Sequence, residues 1–217
     1  MIKIFIGHDR REDKAVRVLT DSIFKLSSQP VSFTYIKNDQ IKVYKREYKN
    51  QSVDFTYSRF LVPYLCDYKG WAIFMDCDML VREDITKLWD MRNENYAVQV
   101  VKHNYITKVK FKHEGEKQTS YPKKNWSSLM IFNCEKCKSL TPNFINTATG
   151  KQLHQFEWID DEEIGSLPFT WNWLADEYEY KSDVANIHYT LGGPWFNDAF
   201  RSDYEKEWIY YHKKMGE

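Results

Sequence analysis

The sequence lacks a long hydrophobic run, since it never contains the about 18 consecutive apolar residues that a membrane-spanning helix requires. It also lacks an excess of charge, because 31 lysine and arginine residues balance 31 aspartate and glutamate residues. A nucleic-acid-binding protein normally carries a strong positive field, so we expect no nucleic-acid partner. The four cysteines are too few for a disulfide scaffold and fit a reducing compartment. We therefore expect a cytoplasmic protein without a transmembrane segment.

The length and composition predict one folded domain over residues 1–217. Hydrophobic residues make up 42% of the chain, which is enough to bury a sizeable core and excludes global disorder. The apolar stretch at residues 2–6 is short and is followed at once by charged residues, so it does not resemble an export signal.

Apolar patterning predicts an α/β fold, with a mainly parallel central sheet flanked by helices. A helix that ends near residues 27–30 is predicted after Asp9, because Ala15, Leu19 and Ile23 recur at helical spacing, and Asp9 with Glu12 suggests a capping box at its start. Residues 57–65 and 204–215 also look helical, whereas residues 102–124 form a lysine-rich exposed segment. Strands are predicted at residues 2–6, 31–36, 71–75, 96–101 and 129–132.

Two carboxylates one residue apart, Asp76 and Asp78, follow directly on the apolar stretch at residues 71–75. Ligands of open α/β sheets bind at the carboxyl ends of strands, where both acids are expected. Close carboxylates repel each other unless a cation lies between them, and hard oxygen ligands suit Mg²⁺ or Mn²⁺ bound to substrate phosphates. The alternative is structural, with one aspartate capping the next segment and the other solvated.

A second candidate lies near the C-terminus, where His188 ends a short apolar run and is followed by Gly192 and Gly193. The imidazole could supply a nitrogen ligand to the same metal, although a lone histidine is more often structural.

Taken together, these motifs resemble the GT-A glycosyltransferases, in particular family 8, which includes glycogenin and bacterial lipopolysaccharide galactosyltransferases. Five features in the same order carry the resemblance, and they span most of the chain. They are the first strand ending at Gly7, His8 and Asp9; residues 57–63 around Arg59; Phe74 to Asp78; residues 160–164 with Leu167, Pro168, Trp171 and Asn172; and His188 with Pro194 and Trp195.

The resemblance implies a role for each matching residue. Asp76, Asp78 and His188 become ligands of Mn²⁺, with Mg²⁺ as the alternative. The nucleotide-sugar donor is assigned to Gly7, His8, Asp9, Arg59, Cys77, Gly192 and Gly193 together with the two metal-binding aspartates. Asp161 and Glu162 match the family's acidic-amide pair beside the reacting carbon, although the family has a glutamine where Glu162 stands. The family's lysine before proline is replaced by Gly193.

The implied function is metal-dependent transfer of a sugar from a nucleotide diphosphate, expected to be UDP, to an oligosaccharide or glycan hydroxyl with retention. Residues 1–100 are then expected to bind the nucleotide sugar, and residues 101–217 the acceptor. Lys110 and Lys112 of the lysine-rich segment suggest contact with an anionic acceptor.

Two alternatives remain open on the sequence. A phosphohydrolase of the haloacid-dehalogenase type also carries Asp-x-Asp after a strand, but normally on the first strand and with threonine or valine where Leu80 stands. A non-catalytic nucleotide-sugar-binding module would retain the same residues without turnover.

Overall fold

The computed structural model of the chain describes residues 1–47, 51, 53–105, 107, 121–196 and 202–215. Its strands are β1 Ile2–Gly7, β2 Val31–Ile36, β3 Trp71–Met75, β4 Met79–Val81, β5 Val98–Val100, β6 Leu129–Asn133, β7 Ile164–Ser166, β8 Trp173–Leu174 and β9 Asn186–His188. Its α-helices are α1 Asp13–Leu26, α2 Val62–Leu65, α3 Ile85–Trp89, α4 Pro142–Thr147, α5 Gly150–His154 and α6 Glu205–Lys213. Among these described helices, none combines the length and apolar composition needed to cross a bilayer.

The main sheet has the order β2-β1-β3-β6-β5-β7. Strand β1 pairs in parallel with β2 and β3, and β5 pairs in parallel with β7. Strand β6 is inserted between β3 and β5 and is antiparallel to both. The other five strands of this sheet therefore share one direction, which confirms the predicted mainly parallel α/β fold.

The central strands are buried on both faces, as their continuous apolar sequences predicted. Every residue of β6 is buried, as are all of β3 except Trp71. Helix α1 packs its apolar face inward through Ala15, Leu19 and Ile23. The two halves expected at residue 100 both contribute strands to this sheet, and the division into halves stays a prediction.

The capping box predicted at the start of α1 does not form. Asp9 caps a 3-10 turn at Arg10–Glu12 by accepting a hydrogen bond from the Arg11 backbone, and α1 begins only at Asp13. Glu12 does not reach back to the cap, because its side chain is buried toward Cys77, whose thiol donates to Glu12 Oε2 over 2.9 Å.

A second sheet of order β4-β9-β8 joins distant parts of the sequence. Strand β4 begins directly after Asp78 and pairs antiparallel with β9, so that Met79 lies opposite His188. The Tyr189 backbone also donates to the Asp78 carbonyl over 2.8 Å. This pairing places His188 beside Asp78.

Other predicted elements differ in detail from the structure. Residues 57–65 form a 3-10 turn, Ser58–Leu61, that continues into the short helix α2, while α6 confirms the helix near the C-terminus. Most of the lysine-rich segment, with Lys110 and Lys112, lies outside the described residues.

Candidate active site

Three potential metal ligands meet at the carboxyl end of β3. Asp76 follows β3, Asp78 precedes β4 and His188 ends β9; one ligand atom from each lies within 4.8 Å of the others. His188 Nε2 is 3.2 Å from Asp78 Oδ1, and the exposed fractions of these two side chains are 2% and 16%. Two carboxylates and one imidazole are a donor set that suits Mn²⁺ or Mg²⁺.

The hydrogen bonds of Asn172 determine which ring nitrogen of His188 carries the proton. The Asn172 side-chain nitrogen faces Ser128 Oγ at 2.8 Å and the Asn125 carbonyl at 3.3 Å, so its oxygen faces His188 Nδ1 at 2.9 Å. We therefore assign the proton to Nδ1. The lone pair of Nε2 then faces the Asp78 carboxylate, an arrangement that a cation between them would stabilise. The residues present thus fit a divalent cation.

Arg59 compensates part of the negative charge. Its Nη1 lies 2.7 Å from Asp76 Oδ1 and donates to the Ser127 carbonyl over 3.0 Å, while Nε donates to the Thr56 carbonyl. Burial raises the pKa of Asp76, and so does the nearby Asp78, whereas Arg59 lowers it. The guanidinium is thus held rigidly at the edge of the metal cluster.

Cys77, between the two carboxylates in the sequence, is fully buried. Its contact with Glu12 ties the loop of the metal ligands to the turn that follows β1. Burial and the charge of Asp78 raise the pKa of Glu12. The Cys77 side chain therefore supports the loop, and only its backbone is available to a donor.

A cavity of about 380 Å³ lies where the nucleoside was expected. His8 and Lys37, which follow β1 and β2, line it together with Arg10, Asn38, Asp39, Arg46, Gln51 and Asp54. Asp9 is fully buried, and its carboxylate binds Arg11 and the Asp54 backbone. It therefore holds the loop after β1 in place without lining the cavity. Gly7 is required there, because a Cβ would lie 2.3 Å from the Phe55 ring.

Gly192 and Gly193 follow β9 in a tight turn. Gly192 has a φ of +102°, and a Cβ on Gly193 would lie 2.1 Å from the ring of Trp195, whose exposed fraction is 6%. The turn therefore has no room for a side chain at residue 193, which accounts for the absence of the expected lysine at this point.

The structure does not bring Asp161 and Glu162 into the metal cluster, and their role beside the reacting carbon stays a prediction. The Asp161 carboxylate accepts a hydrogen bond from Lys123 Nζ over 2.5 Å. The two acids precede β7, and the following residue, Glu163, accepts a hydrogen bond from Ala97, whose own carbonyl accepts one from Asn133. Asn133 pairs with Trp71, the first residue of β3. Asp76 lies five residues beyond Trp71 in the sequence, which corresponds to roughly 16 Å along the strand at about 3.3 Å per residue. Asp161 and Glu162 precede β7 and therefore lie at the amino end of that strand, whereas the metal cluster lies at the carboxyl end of β3, which runs in the same direction.

Three residues of this region were not assigned by sequence reasoning: Glu12, Ser128 and the positioning residue Asn172. Asn172 was part of the family resemblance but carried no role, and Glu12 was interpreted as a capping residue. No local pattern in the sequence distinguishes either from an ordinary polar residue.

Comparisons with known proteins show the family of the chain. The model of "Glycosyl transferase family 8" matches residues 2–199. Protein CDI of Arabidopsis thaliana is 44% identical over 218 residues, which cover 95% of this chain and 84% of the relative.

Solved structures show the same fold at low identity. The apo structure of the WbbM bifunctional glycosyltransferase superposes with a TM-score of 0.67 at 14% identity; the match covers 98% of this chain and half of WbbM. The galactosyltransferase LgtC, in complex with donor and acceptor sugar analogs, gives 0.63 at 13% identity, with 100% of this chain and 97% of LgtC covered. With the family match over most of its length, the chain belongs to glycosyltransferase family 8 and has the GT-A fold.

Proposed function

We propose that the protein transfers a sugar from UDP-sugar to a glycan hydroxyl in a reaction that depends on Mn²⁺. The observation that carries this proposal is the cluster of Asp76, Asp78 and His188 at the carboxyl edge of the sheet, next to the cavity at the ends of β1 and β2. Family membership supports a nucleotide-sugar donor, a glycan acceptor and retention of configuration. The haloacid-dehalogenase alternative is set aside, because the glycosyltransferase family 8 model matches residues 2–199. The cytoplasmic location stays a prediction.

In this proposal, Asp76, Asp78 and His188 hold the metal, with Mg²⁺ as the alternative ion. When bound, a divalent cation supplies Lewis-acid stabilisation of the negative charge that develops on the nucleoside diphosphate. Asn172 holds His188 in the tautomer that presents Nε2, and Arg59 holds Asp76.

The donor's other contacts come from the loops after β1 and β9. The backbone of Gly7 and His8 borders the nucleoside cavity, and Asp9 holds that loop through Arg11 and Asp54. Gly192 and Gly193 let the main chain approach the diphosphate. In this proposal, Arg59 is the cation nearest the metal cluster. Residue 193 has no room for the lysine that the family carries there.

The proposal is tested by thermal unfolding of the protein with UDP, GDP and their sugar derivatives, with and without Mn²⁺. A ligand that binds only the native state at 100 times its Kd stabilises by about 2.7 kcal/mol, which raises Tm measurably. We expect a shift that needs both Mn²⁺ and a uridine nucleotide. Asp78→Asn should remove this shift without lowering the Tm of the free protein.

Asp183→Asn is the matched control, because Asp183 is an aspartate with 77% of its side chain exposed and lies outside the cluster. A full shift in Asp78→Asn contradicts the metal assignment. A shift without sugar transfer or donor hydrolysis would favour a binding module, and release of phosphate from small phosphoesters would favour the phosphohydrolase.

A further inference from the structure

A second cavity, of about 300 Å³, lies at the carboxyl end of β5. His103, Tyr105, Tyr121 and Lys123 are among its lining residues. In the order of the main sheet, β3 with Asp76 stands between β1 with the nucleoside cavity and β5 with this one. The cavity therefore lies on the side of the metal cluster opposite to the nucleoside, where the second substrate of a transfer reaction has to approach.

His103 is built firmly into the wall of this cavity. Its exposed fraction is 4%, and its Nδ1 lies 2.7 Å from the Tyr178 hydroxyl. Its backbone carbonyl accepts a hydrogen bond from Trp126 Nε1 over 2.8 Å, and the Phe169 ring packs edge-on against the imidazole. The position of the ring is thus set by contacts on several sides.

The other ring nitrogen, His103 Nε2, has no hydrogen-bond partner among the residues that the structure describes. Burial lowers the pKa of His103 to about 3, so the ring is neutral near pH 7. An enclosed polar atom without a partner destabilises the native state, and such atoms are rare in folded proteins. A bound ligand that supplies the partner would remove this cost.

We propose that this cavity is the acceptor subsite and that His103 Nε2 forms a hydrogen bond with a hydroxyl of the acceptor saccharide. The proposal rests on the proposed glycosyl transfer and extends it to the acceptor. Tyr105 and Tyr121 offer ring surfaces against which a sugar face can pack. Because Nε2 is enclosed in this structure, the hydroxyl enters by a small displacement of the cavity wall. His103 is then a residue that positions the acceptor and takes no proton from it.

Two amide substitutions separate the two ring nitrogens. In His103→Asn, the shorter amide can still meet Tyr178 but leaves nothing at the Nε2 position. In His103→Gln, the longer amide reaches the Nε2 position and gives up the contact with Tyr178. If Nε2 binds the acceptor, the glutamine variant retains binding and the asparagine variant loses it.

The experiment is saturation-transfer NMR with the methyl glycosides of glucose, galactose, mannose and xylose, each added to the protein with UDP and Mn²⁺. We expect at least one glycoside to bind the wild type. Its binding to His103→Asn should be about tenfold weaker, because one hydrogen bond is lost, and its binding to His103→Gln should be near normal. Tyr178→Phe is the control: it removes the partner of Nδ1, and we expect it to lower Tm while glycoside binding persists. The Tm shift produced by UDP and Mn²⁺ should be unchanged in all three variants.

Equal glycoside binding by the asparagine and glutamine variants, or loss in the glutamine variant alone, overturns the role of Nε2. Absence of glycoside binding to a wild-type protein that does respond to UDP and Mn²⁺ overturns the acceptor subsite and leaves the donor site intact. If the wild type fails to respond to any nucleotide with Mn²⁺, the proposed function fails first, and this inference fails with it.

Discussion

Replacing Asn172 by leucine should weaken metal binding without touching a ligand. Asn172 is fully buried, and its oxygen accepts the hydrogen bond that keeps the proton on His188 Nδ1. Loss of such a partner typically weakens metal affinity 10- to 100-fold, or about 1.4–2.7 kcal/mol. The substitution also removes the contacts to Ser128 Oγ and the Asn125 carbonyl, so we expect a loss of roughly 1–3 kcal/mol in the free energy of unfolding.

The assay is a Mn²⁺ titration followed by the electron paramagnetic resonance signal of the free ion, beside urea unfolding of the same samples. Gln99→Leu is the matched control, because Gln99 is also a buried amide, bonded to the backbones of Met91 and Asn93, and contacts no metal ligand. We expect the control to lose stability and to keep its Mn²⁺ affinity. An Asn172→Leu protein that is folded and binds Mn²⁺ as tightly as the wild type refutes the tautomer argument.

Two further predictions concern stability. Gly193→Ala should lower the free energy of unfolding, measured by urea unfolding, by about 1–3 kcal/mol, because the new methyl group would overlap the Trp195 ring. Gly150→Ala, whose Cβ would come no closer than 3.2 Å to the Tyr57 hydroxyl, should lower it far less, and equal losses would contradict the packing argument. Asp84→Ala should cost about 1 kcal/mol through loss of the cap of α3. Although burial opposes the shift, hydrogen bonds from Ser28 and Thr86 lower the pKa of Asp84 to about 2, below its ordinary 3.8. The contribution of Asp84 is therefore complete above about pH 4 and is lost as pH falls through 2, so the gap between wild type and variant should narrow in that range and a constant gap would be inconsistent with it.

The local elements were largely predictable from the sequence because local patterns encode them. Strand β3 is an unbroken apolar run, and α1 repeats its apolar residues at helical spacing. The insertion of β6 between β3 and β5 was not predictable, since strand pairing depends on contacts between distant residues and an apolar run does not encode direction. The failed capping box shows the same limit: burial of Glu12 against Cys77 outweighed a local interaction.

In the candidate site, too, local patterns predicted some residues, whereas residues that depend on distant contacts could not be predicted. Asp76 and Asp78 could be located because they follow a strand whose carboxyl end was evident, and His188 because it stands in the order that the family shares. Asn172 and His103 could not be assigned roles, since each depends on hydrogen bonds to residues far away in the sequence. The role of Asp161 and Glu162 stays a prediction, because a matching acidic motif does not say at which end of a strand it lies.

The charge balance of the cluster gives an independent reason to expect a cation there. Asp76 and Asp78 bring two carboxylates into a largely buried loop, and Arg59 is within ion-pair distance of Asp76. His188 adds no positive charge when its proton is on Nδ1 alone. Burial raises the pKa of Asp76 and the nearby carboxylate of Asp78 adds to this effect, so the pKa is raised despite Arg59. A divalent cation compensates both carboxylates at once, so the electrostatics of this loop favour metal binding independently of the family resemblance.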